Sequence, residues 1–216
     1  MIHILSEQTS ILNQYIAEIR DKNIQQDRIR FRRNMERIGE LFAYEISKTL
    51  TYKNTVTETV LAEAHTLTLA EQPVIATILR AGLPLHTGLL NVFDSAQNAF
   101  VSAYRKHHKD NTFKIQIEYL SSPALDDKVL VLTDPMLATG SSMVLAYKAL
   151  LSKGTPSHTH IVAVIASKEG VAYLRKNMPN ENYTLWLAVV DEELTAHSYI
   201  VPGLGDAGDL AFGEKL

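Results

Sequence analysis

Four short apolar runs, at residues 74–79, 129–132, 161–165 and 183–190, fix the kind of fold open to this chain. They are continuous rather than alternating and rich in β-branched residues, as strands covered on both faces should be. Helix-sized stretches at 83–92, 142–153 and 168–177 lie between them. Strands alternating with helices imply right-handed βαβ units, hence an α/β fold with a mostly parallel twisted sheet flanked by helices. No repeat and no Pro/Gly-rich linker divides the sequence, and 216 residues with 46% hydrophobic content suffice for one core. A single domain over residues 1–216 is expected.

Two segments depart from the alternation. Phe31, Met35, Ile38, Phe42 and Ile46 step by four, three, four and four, placing one apolar face on a helix over residues 27–50. A shorter helix over 7–20 shows the same spacing at Leu12, Ile16 and Ile19, so residues 1–50 read as an N-terminal helical arm. The stripe on the longer helix exceeds what a small sheet needs for cover, which predicts self-association as a homodimer or higher homo-oligomer through that helix. Residues 101–120 hold two strand-like runs around Lys106, His107, His108, Lys109, Asp110 and Asn111, and predict a β-hairpin flap standing off the sheet.

Charge and composition close off several classes. Twenty-one Lys and Arg against 24 Asp and Glu give a formal charge of −3, no field for a general polyanion binder. With no cysteine there is no disulfide framework, thiolate metal site or cysteine nucleophile. No apolar run approaches the roughly 18 residues that span a bilayer, and residues 1–10 lack the basic and apolar regions of a signal peptide, so a cytoplasmic protein without membrane partners is expected. His107 and His108 are adjacent, and His158 and His160 have no carboxylates at ligand spacing, so no metal held directly by the protein is expected. Arg28, Arg30, Arg32, Arg33 and Arg37 form a basic run that suits a solvated helix face or an acidic partner better than RNA.

Ligands of open parallel sheets bind at the strands' carboxyl ends. One run ends in Asp134, followed by Pro135, Met136, Leu137, Ala138, Thr139, Gly140, Ser141 and Ser142 and then a helix. Such a loop offers consecutive amides and a helix N-terminus to a phosphate, with Asp134 free to accept from sugar hydroxyls; it also fits an ordinary capped turn. Another run ends in Arg80, placed to clamp an anion or simply exposed. Residues 190–216 form a third element: Tyr199, Ile200, Gly205, Asp206 and Ala207 lie in a stretch that holds four of the chain's ten glycines between 203 and 213. Backbone there can approach a flat ligand closely.

Taken together, the 78–83 segment, the Tyr104-Arg105 pair, the 134–142 loop and the 199–209 segment resemble the uracil phosphoribosyltransferases, a branch of the type I phosphoribosyltransferases. The resemblance implies transfer of a 5-phosphoribosyl group from phosphoribosyl diphosphate (PRPP) to N1 of uracil. It implies that Arg80 and Arg105 hold the diphosphate and that the 134–142 loop holds the ribose phosphate. Tyr199, Ile200, Gly205, Asp206 and Ala207 then form a hood that receives uracil, with Asp206 also facing the donor. Magnesium would arrive on the diphosphate, and guanosine triphosphate is a candidate activator. The family commonly has Gly-Gly-Ser where this chain has Gly140, Ser141 and Ser142, so Ser141 is expected to bear a glycine-like backbone. Glu193 and Ser198 also stand where the family has Arg and Gly. The alternative is a pyrimidine-operon regulator of the same fold that binds uridine nucleotide and RNA, favoured by the basic arm alone.

Overall fold

The apolar runs assemble side by side into one sheet. The computed structural model describes residues 1–107 and 113–215, with the side chains of 103–116 outside the description. Strand β1 (Ile2–Ile4) leads into helices α1 (Ile11–Arg20) and α2 (Arg28–Ser47), followed by a hairpin of β2 (Tyr52–Glu58) and β3 (Glu63–Leu69). Then come β4 (Val74–Leu79), α3 (Leu83–Val92), β5 (Gln97–His107), β6 (Phe113–Ser121), β7 (Val129–Thr133), β8 (Met136–Leu137) and α4 (Ser141–Leu150). The chain finishes with β9 (His158–Ser167), α5 (Lys168–Asn177), β10 (Tyr183–Asp191), β11 (Glu193–Leu194), β12 (Ile200–Val201) and α6 (Ala207–Phe212).

The main sheet runs β1-β10-β9-β7-β4-β5-β6, with β8 added to β9. Every pairing in it is parallel except β5 with β6. Alternate residues of the central strands therefore feed two cores. Ile75, Val131 and Val162 pack with the arm and α3, while Ala76, Leu130 and Ile161 pack with α4 and α5 through Met143, Tyr147 and Leu174.

The expected α/β architecture is present, with three corrections. Phe31, Met35, Ile38, Phe42 and Ile46 are all fully buried inside the chain, so the stripe on α2 is not surplus surface and cannot be the self-association face. The flap is not separate from the sheet: β5 pairs with β4 up to Ser102, the register shifts between Ser102 and Ala103, and only beyond that does the hairpin depend on β5–β6 pairing alone. The flap's connecting residues 108–112, Lys109 among them, lie outside the described residues. Finally, the arm's first helix starts at Ile11 rather than Glu7, because Ser10 caps it with a reciprocal Asn13 contact.

Helix α2 lies closer to α3 than side chains would allow. A Cβ on Gly39 would stand 2.4 Å from the Leu85 carbonyl oxygen, and one on Gly88 would stand 2.0 Å from that of Glu36. Each glycine thus meets backbone, which cannot step aside. In an exposed helix Gly→Ala gains about 1 kcal/mol. Here Gly88→Ala is expected to lose roughly 1–3 kcal/mol through overpacking. Equilibrium urea unfolding checks the sign, and an unchanged or raised midpoint would refute the close contact.

Candidate active site

The carboxyl ends of β4 and β7 open into a cleft of about 200 Å³. One wall is Asp134 and residues 136–140 with Ser142; the other is Ser198, Tyr199, Ile200 and residues 205–208, with Ala81 between. The sequence-predicted residues Asp134, Met136, Leu137, Ala138, Thr139, Gly140, Ser142, Tyr199, Ile200, Gly205, Asp206 and Ala207 are therefore brought together. Pro135 is buried, while Ser141 and Arg80 are outside the lining. The Arg105 side chain lies outside the described residues.

Backbone pairing builds the first wall. After β7 the chain crosses to β9: the Asp134 amide donates to the Val162 carbonyl at 3.1 Å, and the Pro135 carbonyl accepts from Val164 and Ile165 at 3.1 and 2.9 Å. Strand β8 then pairs with Ile165 and Ala166. Gly140, at φ +75°, turns the chain into α4, and a Cβ there would stand 2.7 Å from the Gly170 carbonyl oxygen. The start of α5 is the loop's floor, since Ser167 Oγ donates to the Ala138 carbonyl at 2.5 Å and accepts from the Gly170 amide at 2.8 Å. The first turn of α4 leaves amides with no acceptor within the helix, at its positive end. Such an arrangement can take an anion.

Glycine and an ion pair build the second wall. Gly203, at φ +54°, has no room for a side chain, because a Cβ would be 2.1 Å from the Ile200 carbonyl oxygen. Gly205, at φ +96°, is the opposite case: nothing lies within 4 Å of its missing Cβ, so the backbone borders open space at the cleft. Asp206 caps α6 by accepting from the amides of Gly208 and Asp209 at 2.9 and 3.0 Å, and Lys215 Nζ lies 3.3 Å from its other oxygen. Burial pushes the Asp206 carboxyl up, but these amides and Lys215 outweigh it and hold it below the ordinary range. The segment closes in a capped helix packed on the core through Ala207 and Ala211.

Residues 6–214 match the family model described as uracil phosphoribosyltransferase. The chain belongs to the uracil phosphoribosyltransferase family. A uracil phosphoribosyltransferase from Porphyromonas gingivalis is 57% identical over 216 residues, covering 100% of this chain and 99% of that one. Another, from Pyrococcus furiosus, is 36% identical and covers 97% and 89% of the two chains. Among solved structures, the AQ2163 protein from Aquifex aeolicus superposes with a TM-score of 0.86 at 28% identity, covering 99% and 98%.

Two departures from the uracil phosphoribosyltransferase pattern have structural outcomes. Ser141 is the first residue of α4, and the positive φ belongs to Gly140, so the expected glycine-like backbone at Ser141 is not required. Ser198 does adopt φ +62°, in the cleft wall and at the family's glycine position. That conformation is costly for a residue with a Cβ.

Sequence reasoning gave no role to Arg20 and Asp191, which the fold joins. Arg20 donates to both Asp191 oxygens at 2.7 and 2.9 Å, and Asp191 also accepts from the Gly203 amide at 2.9 Å. The available signal was Asp191 itself, an acid closing an apolar strand as Asp134 does. Four of the five arginines in the basic run likewise find partners within the chain. Arg30 pairs with Glu18 at 2.7 and 2.8 Å, Arg32 donates to the Ala211 carbonyl at 2.7 Å, and Arg33 pairs with Glu36 at 2.7 Å. Arg37 stacks over Tyr15 and donates to Asn34. Arg80 meets Asp209 Oδ1 at 3.1 Å and the Gly213 carbonyl at 3.0 Å.

Among the described residues Asp134 has no such partner. Burial pushes its carboxyl up to about 7, against only a 3.4 Å contact from the Met136 amide. The folded chain keeps this proton up to about pH 7, whereas the unfolded chain releases it near the ordinary aspartate value of 3.8. Rising pH therefore favours the unfolded state between those values and has no further effect above them. In ligand-free protein, Asp134→Asn should gain stability relative to the parent as pH rises from about 4 to about 7, then hold a constant margin. Melting temperatures of the pair at several pH values test this; a margin independent of pH would refute it.

Proposed function

We propose that the chain transfers the 5-phosphoribosyl group of PRPP to N1 of uracil, forming uridine monophosphate and diphosphate in pyrimidine salvage, and works in the cytoplasm. The observation that carries this reading is the facing of the 134–142 anion cradle by the glycine-walled hood across one cleft, in a chain 57% identical to a uracil phosphoribosyltransferase. Among the described residues no helix is long and apolar enough to cross a membrane.

The C1–diphosphate bond breaks, the N1–C1 bond forms and N1 loses its proton. The transition state carries positive charge on ribose and growing negative charge on the leaving group, so positioning and charge stabilisation are the chain's task. In this reading the 139–142 amides take the 5-phosphate, Asp134 accepts from ribose hydroxyls, and Arg80 and Arg105 bind the diphosphate. The 101–120 flap covers the donor against water. Ile200, Gly205 and Ala207 present backbone to the uracil edge, and Tyr199 borders it. Among the described residues no three His, Asp or Glu side chains gather as a metal cage. The cleft's own carboxylates, Asp134 and Asp206, suit an ion brought by its ligand. Magnesium, when bound, neutralises the diphosphate.

Self-association stays part of the proposal, on a different surface from α2. The β2–β3 hairpin exposes Val56, Val60, Leu61 and Leu67, with Val60 and Leu61 almost wholly in solvent. An apolar hairpin of this kind suits a second copy of the chain.

The deciding experiment incubates purified protein with PRPP, magnesium and single nucleobases. Uracil should exceed cytosine by orders of magnitude, because an edge that donates to O4 and accepts from N3–H meets a mismatched donor and acceptor in cytosine. Comparable turnover would overturn the edge reading.

Asp206→Asn separates charge from structure. Asparagine caps helices as well as aspartate does, so α6 should persist. Turnover should nevertheless fall by roughly 10²-fold, the usual loss for one preorganised electrostatic contact. Full activity at an unchanged melting temperature would leave Asp206 only its cap.

A further inference from the structure

We propose that Arg20 and Asp191, both outside the cleft lining, are positioning residues that set the base selectivity of the hood. The inference rests on the reading above that the hood receives the base.

Each partner is fixed by a rigid element that is not part of the hood. Asp191 is the last residue of β10, in register with Ser167 of β9, and is 6% exposed. Arg20 is the last residue of α1. Their two-pronged pair grips successive peptide groups of the hood from behind. The Gly203 amide donates to Asp191 Oδ2 at 2.9 Å, and Arg20 Nη1 donates to the Gly203 carbonyl at 3.3 Å. With its amide nitrogen turned toward them, Gln25 reaches the Leu204 carbonyl at 3.0 Å and that of Ile19 at 2.8 Å. The peptide planes leading into Gly205 are therefore held by groups on the side away from the cleft.

The hood needs such outside support. Gly203 and Gly205 have no side chains to pack, and both take left-handed backbone. A reader made of backbone discriminates between bases only while its amide and carbonyl directions stay fixed. If they rotate, the same loop can match cytosine's reversed edge. A planar guanidinium suits the task because it can hold both carboxylate oxygens and a carbonyl together, which a lysine ammonium cannot do in the same geometry.

The test compares steady-state kinetics of Asp191→Asn and Arg20→Lys with the parent, alongside circular dichroism and melting curves. Asp191→Asn should raise the KM for uracil at least tenfold while the KM for PRPP stays within twofold, and should reduce the uracil-to-cytosine preference by a similar factor. Arg20→Lys should move the same quantities in the same direction by less. If Asp191→Asn does not fold, Arg20→Lys decides alone. An unchanged uracil KM and base preference in folded protein overturns the proposal. So does a parallel rise in both KM values, which is the mark of a merely structural pair. Gly205→Ala tests the underlying reading separately, since its methyl enters the open space beside the hood backbone. No effect on uracil KM there removes the base from the hood, whatever Arg20 and Asp191 do.

Discussion

The backbone contact between α2 and α3 at Gly39 and Gly88 sets the spacing on which the rest of the molecule depends. Because neither glycine presents a Cβ, α2 settles directly on α3 and its apolar face closes over the sheet. That depth brings Arg32 within reach of the Ala211 carbonyl and lets α1, packed on α2, deliver Arg20 to Asp191. A larger residue at either glycine would lift the arm, and the C-terminal hood would lose its supports together. The arm is therefore best understood as the scaffold of the hood rather than as an appendage to the sheet.

Charge pairing follows the same division. Where the chain must hold itself together, carboxylates are paired: Glu18 accepts from Arg30, Gln14 and Asn34, which hold its carboxyl down at about 2, and Asp191 is gripped by Arg20. In the cleft the two carboxylates differ: Asp206 keeps Lys215 and two amides, whereas Asp134 has no cation among the described residues and burial raises it instead. An unpaired buried acid costs stability, and such costs concentrate at sites that must bind something.

Most of the sheet was legible because β4, β7, β9 and β10 are covered on both faces and so read as continuous apolar runs; α3 and α5 were legible because those runs bound them. The β2–β3 hairpin escaped because its residues are mostly exposed, with Leu69 at its end packed on the core. It is held by backbone pairing and a Thr55–Thr68 hydroxyl contact. Strands β1 and β8, three and two residues long, are too short for any periodicity. The stripe on α2 was misassigned because periodicity identifies an apolar face but not what covers it. In the site, the loop and hood were legible from residue types, whereas the Arg20–Asp191 pair, 171 residues apart in sequence, exists only through the fold.

The position of Arg80 bears on whether it can act as a diphosphate clamp. In the ligand-free chain its guanidinium rests on Asp209 and the Gly213 carbonyl, with the Arg80 side chain 42% exposed. Exposed ion pairs of this kind are worth about 0–1 kcal/mol. A charge-assisted hydrogen bond in a closed site is worth about 1.5–3 kcal/mol, and a diphosphate offers several acceptors. The comparison favours the anion, so the tie to α6 is weak enough to yield to a ligand of that charge. Until then it keeps the arginine beside the cleft rather than free in solvent, which lowers the ordering entropy that binding must overcome.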